Sequence, residues 1–393
     1  MRVLHLTTEF PPVIYGGLGT AVGWWAKACA RAGVEIAVQL VGGVLALDGN
    51  AALYGSPRHR TPHRDASPAR ESKEGILFIQ CSEPDAIAAG VRAVEEWRPD
   101  VVHLHTAMLW YLASAIKAAT GKPLVFHVHS VDRAEYDLGN EPNPFLAQAR
   151  AQEEAITGSD RLIALTRSEE VLLRQYYPEA ADKIRVVGNG IEDTDAALTA
   201  TFSTRPEMPT VLYSGRLVER KGIRELLAAI PEVLQAVPGA RFVTTGGPPP
   251  FSASAVAAQW LETQHIPFLE RIQFTGWQSP AEMALRYAAA DILVVPSRYE
   301  PFGMVILEGM LYGLAIVAAD VGGPAEILEH GRTGLLFPPR DVEALGSALQ
   351  RLLKNPEERK KLGQAAAREV RSKWLWKQLV PPMLDVYREF TFH

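Results

Sequence analysis

Residues 292–319 read ILVVPSRYEPFGMVILEGMLYGLAIVAA. The apolar run Ile292–Val295 predicts a strand, a helix is expected to begin near Gly303, and Leu314–Ala319 predicts the next strand. Strands that alternate with helices form a parallel sheet that is covered by helices on both faces. This stretch therefore predicts an α/β fold.

The same alternation extends through most of the chain in two series. The first series contains predicted strands at Arg2–Thr7, Glu35–Val41, Ile76–Gln80, Val101–His105, Leu124–His129, Arg161–Leu165 and Ile184–Val187. The second contains Thr210–Ser214, Arg241–Thr245, Ile272–Thr275, Ile292–Val295 and Leu314–Ala319. Between the two series, residues 193–209 carry few large apolar side chains and two prolines. We therefore expect two Rossmann-like domains, over residues 1–200 and 205–375.

The composition disfavours several classes of protein. The 393 residues include 40 Lys+Arg and 45 Asp+Glu, so a net charge of -5 argues against a nucleic-acid partner. Cys29 and Cys81 form no C-x-x-C pattern, which disfavours a disulfide framework and favours a reducing compartment. No apolar run reaches the roughly 18 residues of a membrane helix, and the first apolar run is too short for a signal peptide. We expect a cytoplasmic protein without stable membrane insertion.

Glycines and cations follow two of the predicted strands. Parallel sheets bind ligands beyond the carboxyl ends of their strands, so these residues are candidates for a binding site. Gly17 and Gly19 open a predicted helix, where they either form a tight turn or let backbone N–H groups approach an anion. Arg216 and Lys221 follow the strand Thr210–Ser214 between glycines. Unless they are ordinary surface cations, they suit a diphosphate, Arg216 as a fork of donors and Lys221 as a point charge.

Two carboxylates follow the strand Ile292–Val295. Glu300 lies in the loop after the strand, and Glu308 lies in the second turn of the predicted helix, among large apolar side chains. A buried carboxylate is unfavourable unless it meets hydrogen-bond donors, which either ligand hydroxyl groups, as on a ribose, or an internal arginine would supply. The expected helix N-terminus at Phe302–Gly303 also presents backbone N–H groups to ligand oxygens.

Four histidines form two His-x-His pairs, His103 with His105 and His127 with His129, each at the end of a predicted strand. Alternation along a strand places both histidines of a pair on one face of the sheet. Such imidazoles either bind a metal, contact a sugar or phosphate oxygen, or hydrogen-bond to a neighbouring loop. No acidic residue lies between the paired histidines, and we expect a sugar or phosphate contact for at least one of them and no metal site.

At these motifs the chain resembles the retaining GT-B glycosyltransferases of the large family 4, which includes glycogen synthases and sucrose-phosphate synthases. Glu300 and Glu308 match the E-x7-E pair of that family, inside the motif SRYEPFG. The opening EFPPVIYGGLG, residues 9–19, is similar to that of glycogen synthases, and HSVDR, residues 129–133, is similar to a motif of sucrose-phosphate synthases. Further matching motifs are GR…KG at 215–222, VGNGI at 187–191, GG at 322–323 and EHGRTGLLF at 329–337.

The resemblance implies two facing Rossmann-like domains with a cleft between them. The first domain would bind the acceptor and the second a nucleotide-diphosphate sugar, and a helix over about 376–393 would cross back onto the first domain. Gly17 and Gly19 would lie against the diphosphate, and His129 would contact the transferred sugar. Such enzymes retain the anomeric configuration and use no metal, so we expect no cofactor.

The resemblance also assigns roles to residues of the second domain. Arg216 and Lys221 would neutralise the donor diphosphate, where negative charge develops on the leaving group. Glu308 would bind the hydroxyl groups of the ribose. Glu300 and the backbone at Phe302–Gly303 would hold the transferred sugar.

The predicted function is retaining transfer of a hexosyl unit, with glucose as the expected sugar, from a UDP- or ADP-sugar to a hydroxyl of a carbohydrate acceptor. Glycogen synthases carry a lysine two residues before Gly-Gly-Leu, whereas this chain has Ile14–Tyr15 there, so the acceptor is left open. The basic segment Asp48–Gly75 fits a solvated insertion, a lid or an acceptor contact. The alternatives are a sugar-nucleotide epimerase, a non-catalytic sugar-nucleotide-binding subunit and, from the paired carboxylates, a glycosidase.

Overall fold

The structure is a computed structural model that describes residues 1–11, 17–42, 69–73, 75–139, 146–193, 208–247 and 271–391. The chain divides into two compact units. Unit 1 comprises Met1–Arg133, Asn143–Gly190 and Trp376–His393, and unit 2 comprises Ala134–Pro142 and Ile191–Leu375. The expected domain boundary, near residues 200–205, lies outside the described residues.

In the described part of unit 1, eight strands form one sheet. They are β1 Arg2–Thr7, β2 Glu35–Val41, β3 Ala69–Lys73, β4 Ile76–Cys81, β5 Val101–Leu104, β6 Leu124–Val128, β7 Arg161–Ala164 and β8 Ile184–Val186. Their order is β3-β4-β2-β1-β5-β6-β7-β8, and every pair is parallel except β3 with β4. The direction of winding reverses between β1 and β5, which is where doubly wound sheets bind ligands.

Helices connect these strands. They are α1 Gly17–Arg31, α2 Ala86–Trp97, α3 Trp110–Thr120, α4 Asp132–Asp137, α5 Leu146–Gly158 and α6 Arg167–Tyr176, with 3₁₀ turns at Ala107–Leu109 and Pro178–Lys183. The last helix of the chain, α13 (Trp376–Arg388), also belongs to unit 1. It packs on α1, where the ring centroids of Trp25 and Trp376 lie 4.7 Å apart in the core.

In the described part of unit 2, six parallel strands form the second sheet. They are β9 Thr210–Ser214, β10 Arg241–Thr245, β11 Ile272–Gly276, β12 Ile292–Val295, β13 Ala315–Ala319 and β14 Leu335–Phe337. Their order is β11-β10-β9-β12-β13-β14, so the winding reverses between β9 and β12. Both sheets thus follow the doubly wound order, and the predicted α/β class is confirmed.

Six helices of unit 2 lie within the described residues: α7 Ile223–Ala236, α8 Pro280–Ala289, α9 Met304–Leu311, α10 Gly322–Ile327, α11 Val342–Lys354 and α12 Pro356–Lys373, besides a 3₁₀ turn at Glu219–Lys221. The strands β12 and β13 are fully buried apolar runs, as expected for central strands with both faces covered. Gly309 lets α9 pack closely, since a Cβ there would meet a Leu293 methyl group at 2.7 Å.

The segment Ala134–Pro142 differs from the sequence-based division, because it belongs to unit 2 although it lies within the first series of strands. Arg220 forms an ion pair with Glu135, N to O 3.2 Å, and Arg340 donates to the carbonyl of Leu138 at 2.8 Å. These contacts attach the segment to unit 2. Among the described helices, none is long and apolar enough to cross a membrane.

Candidate active site

The residues predicted to bind a donor follow β9 and β12, the two strands between which the winding of unit 2 reverses. Lys221 ends the 3₁₀ turn after β9, and Glu300 lies in the loop after β12. Gly222 has a φ of +71° and caps α7, and a Cβ at this position would lie 1.8 Å from the carbonyl oxygen of Pro296. Only glycine allows the two loops to approach this closely.

Lys221 and Glu300 form an ion pair in which Glu300 is buried and Lys221 is half-buried. Nζ of Lys221 lies 2.6 Å from Oε2 of Glu300, and the hydroxyl of Ser297 donates to the same oxygen at 2.9 Å. Burial alone would raise the pKa of Glu300, but Lys221, Arg220 and Ser297 outweigh it and lower that pKa, so the carboxylate is ionised. Burial also lowers the pKa of Lys221, while Glu300 opposes this effect. Sequence reasoning did not assign Ser297, although it lies in the quoted motif.

Arg298 fixes the loop that carries Glu300. Its guanidinium donates to Glu225 on α7 at 2.6 Å and to Glu219 at 3.1 Å, and its backbone N–H donates to the carbonyl of Arg220 at 2.8 Å. The arginine therefore ties the loop after β12 to the turn after β9. No residue role predicted from the sequence included this network.

Glu308 lies in the second turn of α9 and is half-buried. The hydroxyl of Tyr287, on α8, donates a short hydrogen bond to its Oε2, and the side chain of Ser214 at the end of β9 bonds to the same tyrosine. Burial raises the pKa of Glu308, and the Tyr287 hydrogen bond partly opposes this. The sequence left two kinds of hydrogen-bond donor open for this carboxylate, ligand hydroxyl groups or an internal arginine. The side chain that donates to it within the protein is a tyrosine.

The loop from Glu300 to Gly303 packs closely against the start of α10. Gly323 donates its N–H to the carbonyl of Glu300 at 2.9 Å, and a Cβ on Gly323 would lie 1.9 Å from the carbonyl oxygen of Phe302. Phe302 is buried and meets Trp374 edge-on, with ring centroids 5.7 Å apart. Gly303 caps α9 with a φ of +99°, so α9 begins where the sequence predicts.

Arg216 lies at the end of β9 and is exposed. Its carbonyl accepts a hydrogen bond from the hydroxyl of Tyr213 at 2.8 Å, which holds the backbone beside the Lys221–Glu300 pair. Its positive charge contributes to lowering the pKa of Lys221.

Two predicted site residues open α1 in unit 1. Gly17 is the first residue of the helix and is exposed, with no atom within 4 Å of a Cβ built there. Gly19 is buried in the first turn. The preceding residues 12–16 and most of the basic segment 48–75 lie outside the described residues.

His129 belongs to a cluster of histidines at the carboxyl edge of the unit 1 sheet. The histidine cluster comprises His5 on β1, His103 and His105 at the end of β5, and His127 and His129 at the end of β6. Nδ1 of His5 lies 2.7 Å from Nε2 of His105, and Nδ1 of His105 lies 3.3 Å from Nε2 of His129. Sequence reasoning found the two pairs but missed His5, which is paired directly with His103 across the sheet.

The histidine cluster is neutral and incompletely hydrogen-bonded. Burial lowers the pKa of His5 and of His129 to about 3, and it lowers the pKa of the other three well below the usual value. The hydroxyl of Tyr387 lies 2.6 Å from Nδ1 of His103. Within the described part of the chain, Nε2 of His5, Nε2 of His103 and both nitrogens of His127 have no hydrogen-bond partner.

Two stretches of the chain match known protein families. Residues 15–195 match the family described as Glycosyltransferase Family 4, and residues 208–355 match the family described as Glycosyl transferases group 1. Each match spans most of one series of strands.

Three curated relatives align with most of this chain. A glycogen synthase of Mycobacterium tuberculosis is 28% identical, over 98% of this chain and 94% of the relative. A D-inositol 3-phosphate glycosyltransferase of Segniliparus rotundus is 30% identical, over 75% of this chain and 67% of the relative. An alpha-maltose-1-phosphate synthase of Mycolicibacterium smegmatis is 27% identical over the full length of both.

Solved structures share the fold. A sucrose-phosphate synthase of Thermosynechococcus elongatus matches with a TM-score of 0.77 over 99% of both chains, at 22% identity. HepE of Anabaena in complex with UDP-glucose matches with a TM-score of 0.72, at 18% identity, over 100% of this chain and 98% of that chain. The catalytic domain of starch synthase IV of Arabidopsis thaliana, bound to ADP and acarbose, also has a TM-score of 0.72, at 18% identity, over 100% and 99%. These likenesses confirm the predicted GT-B fold class.

Proposed function

Since this chain belongs to glycosyltransferase family 4, we propose that it transfers a glucosyl unit from a nucleotide-diphosphate sugar to a hydroxyl of a carbohydrate-type acceptor, with retention of the anomeric configuration. One observation carries the proposal. The Lys221–Glu300 ion pair lies after β9 and β12, and Glu308 is held by Tyr287 and thereby linked to the end of β9. Cations and carboxylates after these strands suit the diphosphate and the hydroxyl groups of such a donor.

The diphosphate is the proposed ligand of Lys221 and Arg216. In transfer, the bond from the anomeric carbon to the diphosphate oxygen breaks, the acceptor oxygen forms the new bond to the anomeric carbon, and the departing diphosphate takes the proton of the acceptor hydroxyl. Negative charge builds up on the departing diphosphate, so cations already in place stabilise the transition state. Because two side-chain cations serve this role, the proposed reaction uses no divalent cation at the diphosphate.

The carboxylates are the proposed ligands of the two sugars of the donor. Glu308 accepts hydrogen bonds from the ribose hydroxyls, and Tyr287 holds its side chain in place. Glu300, ionised and fixed by Lys221, accepts from the transferred sugar together with the backbone N–H groups near Phe302–Gly303. A carboxylate that is already ion-paired serves as an acceptor rather than as a glycosidase nucleophile.

Residues of unit 1 complete the proposed set. Gly17 and Gly19 open α1, where the backbone N–H groups of a helix N-terminus suit the diphosphate. His129 is the proposed contact of the transferred sugar, because its half-buried ring lies at the carboxyl edge of the sheet. The activities of the named relatives and the ligands of the similar structures support a UDP or ADP donor and an acceptor that is a glucan or a phosphorylated sugar or polyol.

Product analysis tests the proposal. The full chain is incubated with UDP-glucose or ADP-glucose and a glucan, a hexose phosphate or an inositol phosphate, and NMR follows the anomeric protons. We expect nucleoside diphosphate release that depends on the acceptor, with an α-linked product from the α-linked donor. Glu308→Ala is expected to abolish transfer, whereas Glu343→Ala, the same change at an exposed position of α11, retains it.

Other outcomes would identify the alternative functions. An epimerised donor sugar formed without any acceptor would show an epimerase. Donor binding with neither transfer nor donor hydrolysis across all acceptors would show a non-catalytic subunit. Full activity of Glu308→Ala would contradict the assigned site.

A further inference from the structure

We infer that unit 1 carries a binding groove for a neutral oligosaccharide between α3 and α5, apart from the residues that are proposed to hold the donor. The groove has a volume of about 530 Å³, which lies within the range of roughly 300–1,000 Å³ that small-ligand sites occupy. Its lining includes side chains of both helices and of the turn before α3, namely Met108, Trp110, Tyr111, Ser114, Arg150 and Glu154. All of these residues belong to unit 1.

The part of the groove before and within α3 is mainly apolar. Met108 is 61% exposed and Tyr111 is 36% exposed, and the half-buried Trp110 comes directly before Tyr111. Large apolar side chains that are exposed side by side mark binding sites on soluble proteins. A sugar ring has a face of C–H groups that stacks on the flat, apolar face of an aromatic ring. These three side chains therefore suit a sugar.

A glycine sets the position of Trp110. A Cβ on Gly158, the last residue of α5, would clash with the six-membered ring of the indole, so this ring occupies the space that a side chain would otherwise fill. Trp110 is thus held between the two helices before any ligand binds. An aromatic ring that is already fixed loses little conformational freedom on binding.

The helix α5 contributes one cation and one anion to the groove. Arg150 and Glu154 are exposed and lie one helical turn apart, yet they form no ion pair with each other, and neither has a side-chain partner within the described residues. By contrast, Glu170 and Arg174 lie four positions apart on α6 and form an ion pair, N to O 3.0 Å. Arg150 and Glu154 therefore keep their hydrogen-bonding capacity for a ligand.

The two charges select a neutral ligand with many hydroxyl groups. A guanidinium only donates hydrogen bonds and a carboxylate only accepts them, whereas each sugar hydroxyl does both. An anionic ligand that is attracted by Arg150 would be repelled by Glu154 beside it. An apolar segment of a protein would cover both charges without offering them partners, which is costly. An oligosaccharide meets the aromatic faces with its C–H groups and the charges with its hydroxyls.

The groove lies near the carboxyl edge of the unit 1 sheet. The 3₁₀ turn Ala107–Leu109 connects β5 to α3, and Met108 in this turn comes three residues after His105 of the histidine cluster. Three residues span at most about 11 Å of chain. A glycan in the groove therefore lies near the edge at which His129 is proposed to contact the transferred sugar. On the proposed function, the groove would hold the far part of a long acceptor.

Calorimetry of the full chain in the absence of nucleotide tests the inference. Maltoheptaose, cellohexaose and mannohexaose, which are all neutral, are titrated in parallel. At least one of them is expected to bind with a dissociation constant of about 1 mM or tighter. Failure of all three to bind would overturn the inference. Because no donor is present, this result does not depend on whether the protein transfers sugar.

Two variants locate the bound oligosaccharide. Tyr111→Ala and Arg150→Ala are each expected to weaken its binding about 10-fold. Tyr136→Ala and Arg92→Ala, the same changes at exposed positions outside the groove, are expected to bind as the wild type does. Circular dichroism shows which variants are folded. Arg150 is exposed, so Arg150→Ala is expected to fold and decides if Tyr111→Ala does not. Wild-type affinity in the folded groove variants would place the glycan elsewhere and overturn the inference.

An anionic probe tests the selection for a neutral ligand. A heparin hexasaccharide offers sugar rings with many negative charges, and Glu154 is expected to make it bind more weakly than the neutral oligosaccharide that binds best. Tighter binding of the heparin hexasaccharide, lost in Arg150→Ala, would show that the groove is an anion site and would also overturn the inference.

Discussion

Tyr287 and Glu308 show how a neighbour sets the properties of a site residue. Glu308 projects from an apolar helix, and burial raises its pKa, which favours the protonated form, a weaker acceptor of hydrogen bonds than the carboxylate. The Tyr287 hydroxyl donates to the carboxylate and opposes this shift. The tyrosine is therefore a positioning residue that also favours the ionised form of Glu308.

Removing the hydroxyl of Tyr287 is expected to change the pH dependence of donor binding. The proposed role of Glu308 needs the carboxylate, so donor affinity should fall as the pH falls through the pKa of Glu308. Tyr287→Phe removes a group that lowers this pKa, so the loss of affinity should begin at a higher pH. Calorimetry with UDP-glucose and ADP-glucose at a series of pH values measures the midpoint.

The exposed Tyr136 provides the matched control for this change. Tyr136→Phe should leave the midpoint where the wild type has it. A midpoint for Tyr287→Phe that is equal to that of the wild type, or lower, would contradict the assigned role of Tyr287.

At this scale, sequence motifs found the charged residues but not their partners. The E-x7-E spacing pointed to Glu300 and Glu308, and the glycine-flanked cations pointed to Lys221. Tyr287 precedes Glu308 by 21 positions and lies on another helix, so only the tertiary structure brings the two side chains together. The sequence analysis also missed His5, because its partner His105 lies 100 positions further along the chain.

Among the elements, the loop between β12 and α9 determines the candidate site. Arg298 ties it to Glu219 and Glu225, and the start of α10 packs against its backbone. The close approach at Gly323 leaves no space for a side chain, because the neighbouring atom is a backbone carbonyl oxygen. The position of Glu300 thus depends on residues far from it in sequence.

A methyl group at Gly323 is expected to displace this loop. Gly323→Ala would place Cβ 1.9 Å from the Phe302 carbonyl oxygen, so we expect a loss of about 1–3 kcal/mol in the free energy of unfolding and weaker donor binding. Urea unfolding and calorimetry measure the two effects.

Gly346 in α11 supplies the comparison. A Cβ there would meet its nearest atoms at 3.9 and 4.0 Å, which is ordinary contact, and alanine is the better helix former. Gly346→Ala should therefore leave donor binding unchanged and stability equal or increased. Equal stability of wild type and Gly323→Ala would refute the close packing.

The helices and strands were predictable where the pattern was strong. The bounds of β9, β10 and β12 agree with the predicted strands. The strand β12, with sequence ILVV, is a continuous apolar run of the kind that central parallel strands show. The strand β3, with sequence ARESK, was missed because a polar edge strand has no such run, and the short strand β14 was missed as well. Predicted strands ended one residue late at His105 and His129, which lie just beyond β5 and β6.

For the whole molecule, alternation predicted two parallel sheets but not the order of their strands. The order arises from pairing between distant segments, such as β9 with β12, which local pattern does not encode. The sequence pattern also could not predict that Ala134–Pro142 belongs to unit 2, because this depends on the tertiary contacts of Arg220 and Arg340. The GT-B class was predicted from the resemblance to a known family, and not from the alternation of strands and helices.

The central claim is that unit 2 binds a nucleotide-diphosphate sugar through Lys221. The decisive measurement is calorimetry of UDP-glucose and ADP-glucose with the wild type, Lys221→Ala and Lys361→Ala, the last removing the same charge from an exposed position of α12. Losing a charged hydrogen bond is expected to weaken binding of the donor by about 10- to 100-fold in Lys221→Ala, while Lys361→Ala binds as the wild type does. Undiminished affinity in a folded Lys221→Ala variant would contradict the account.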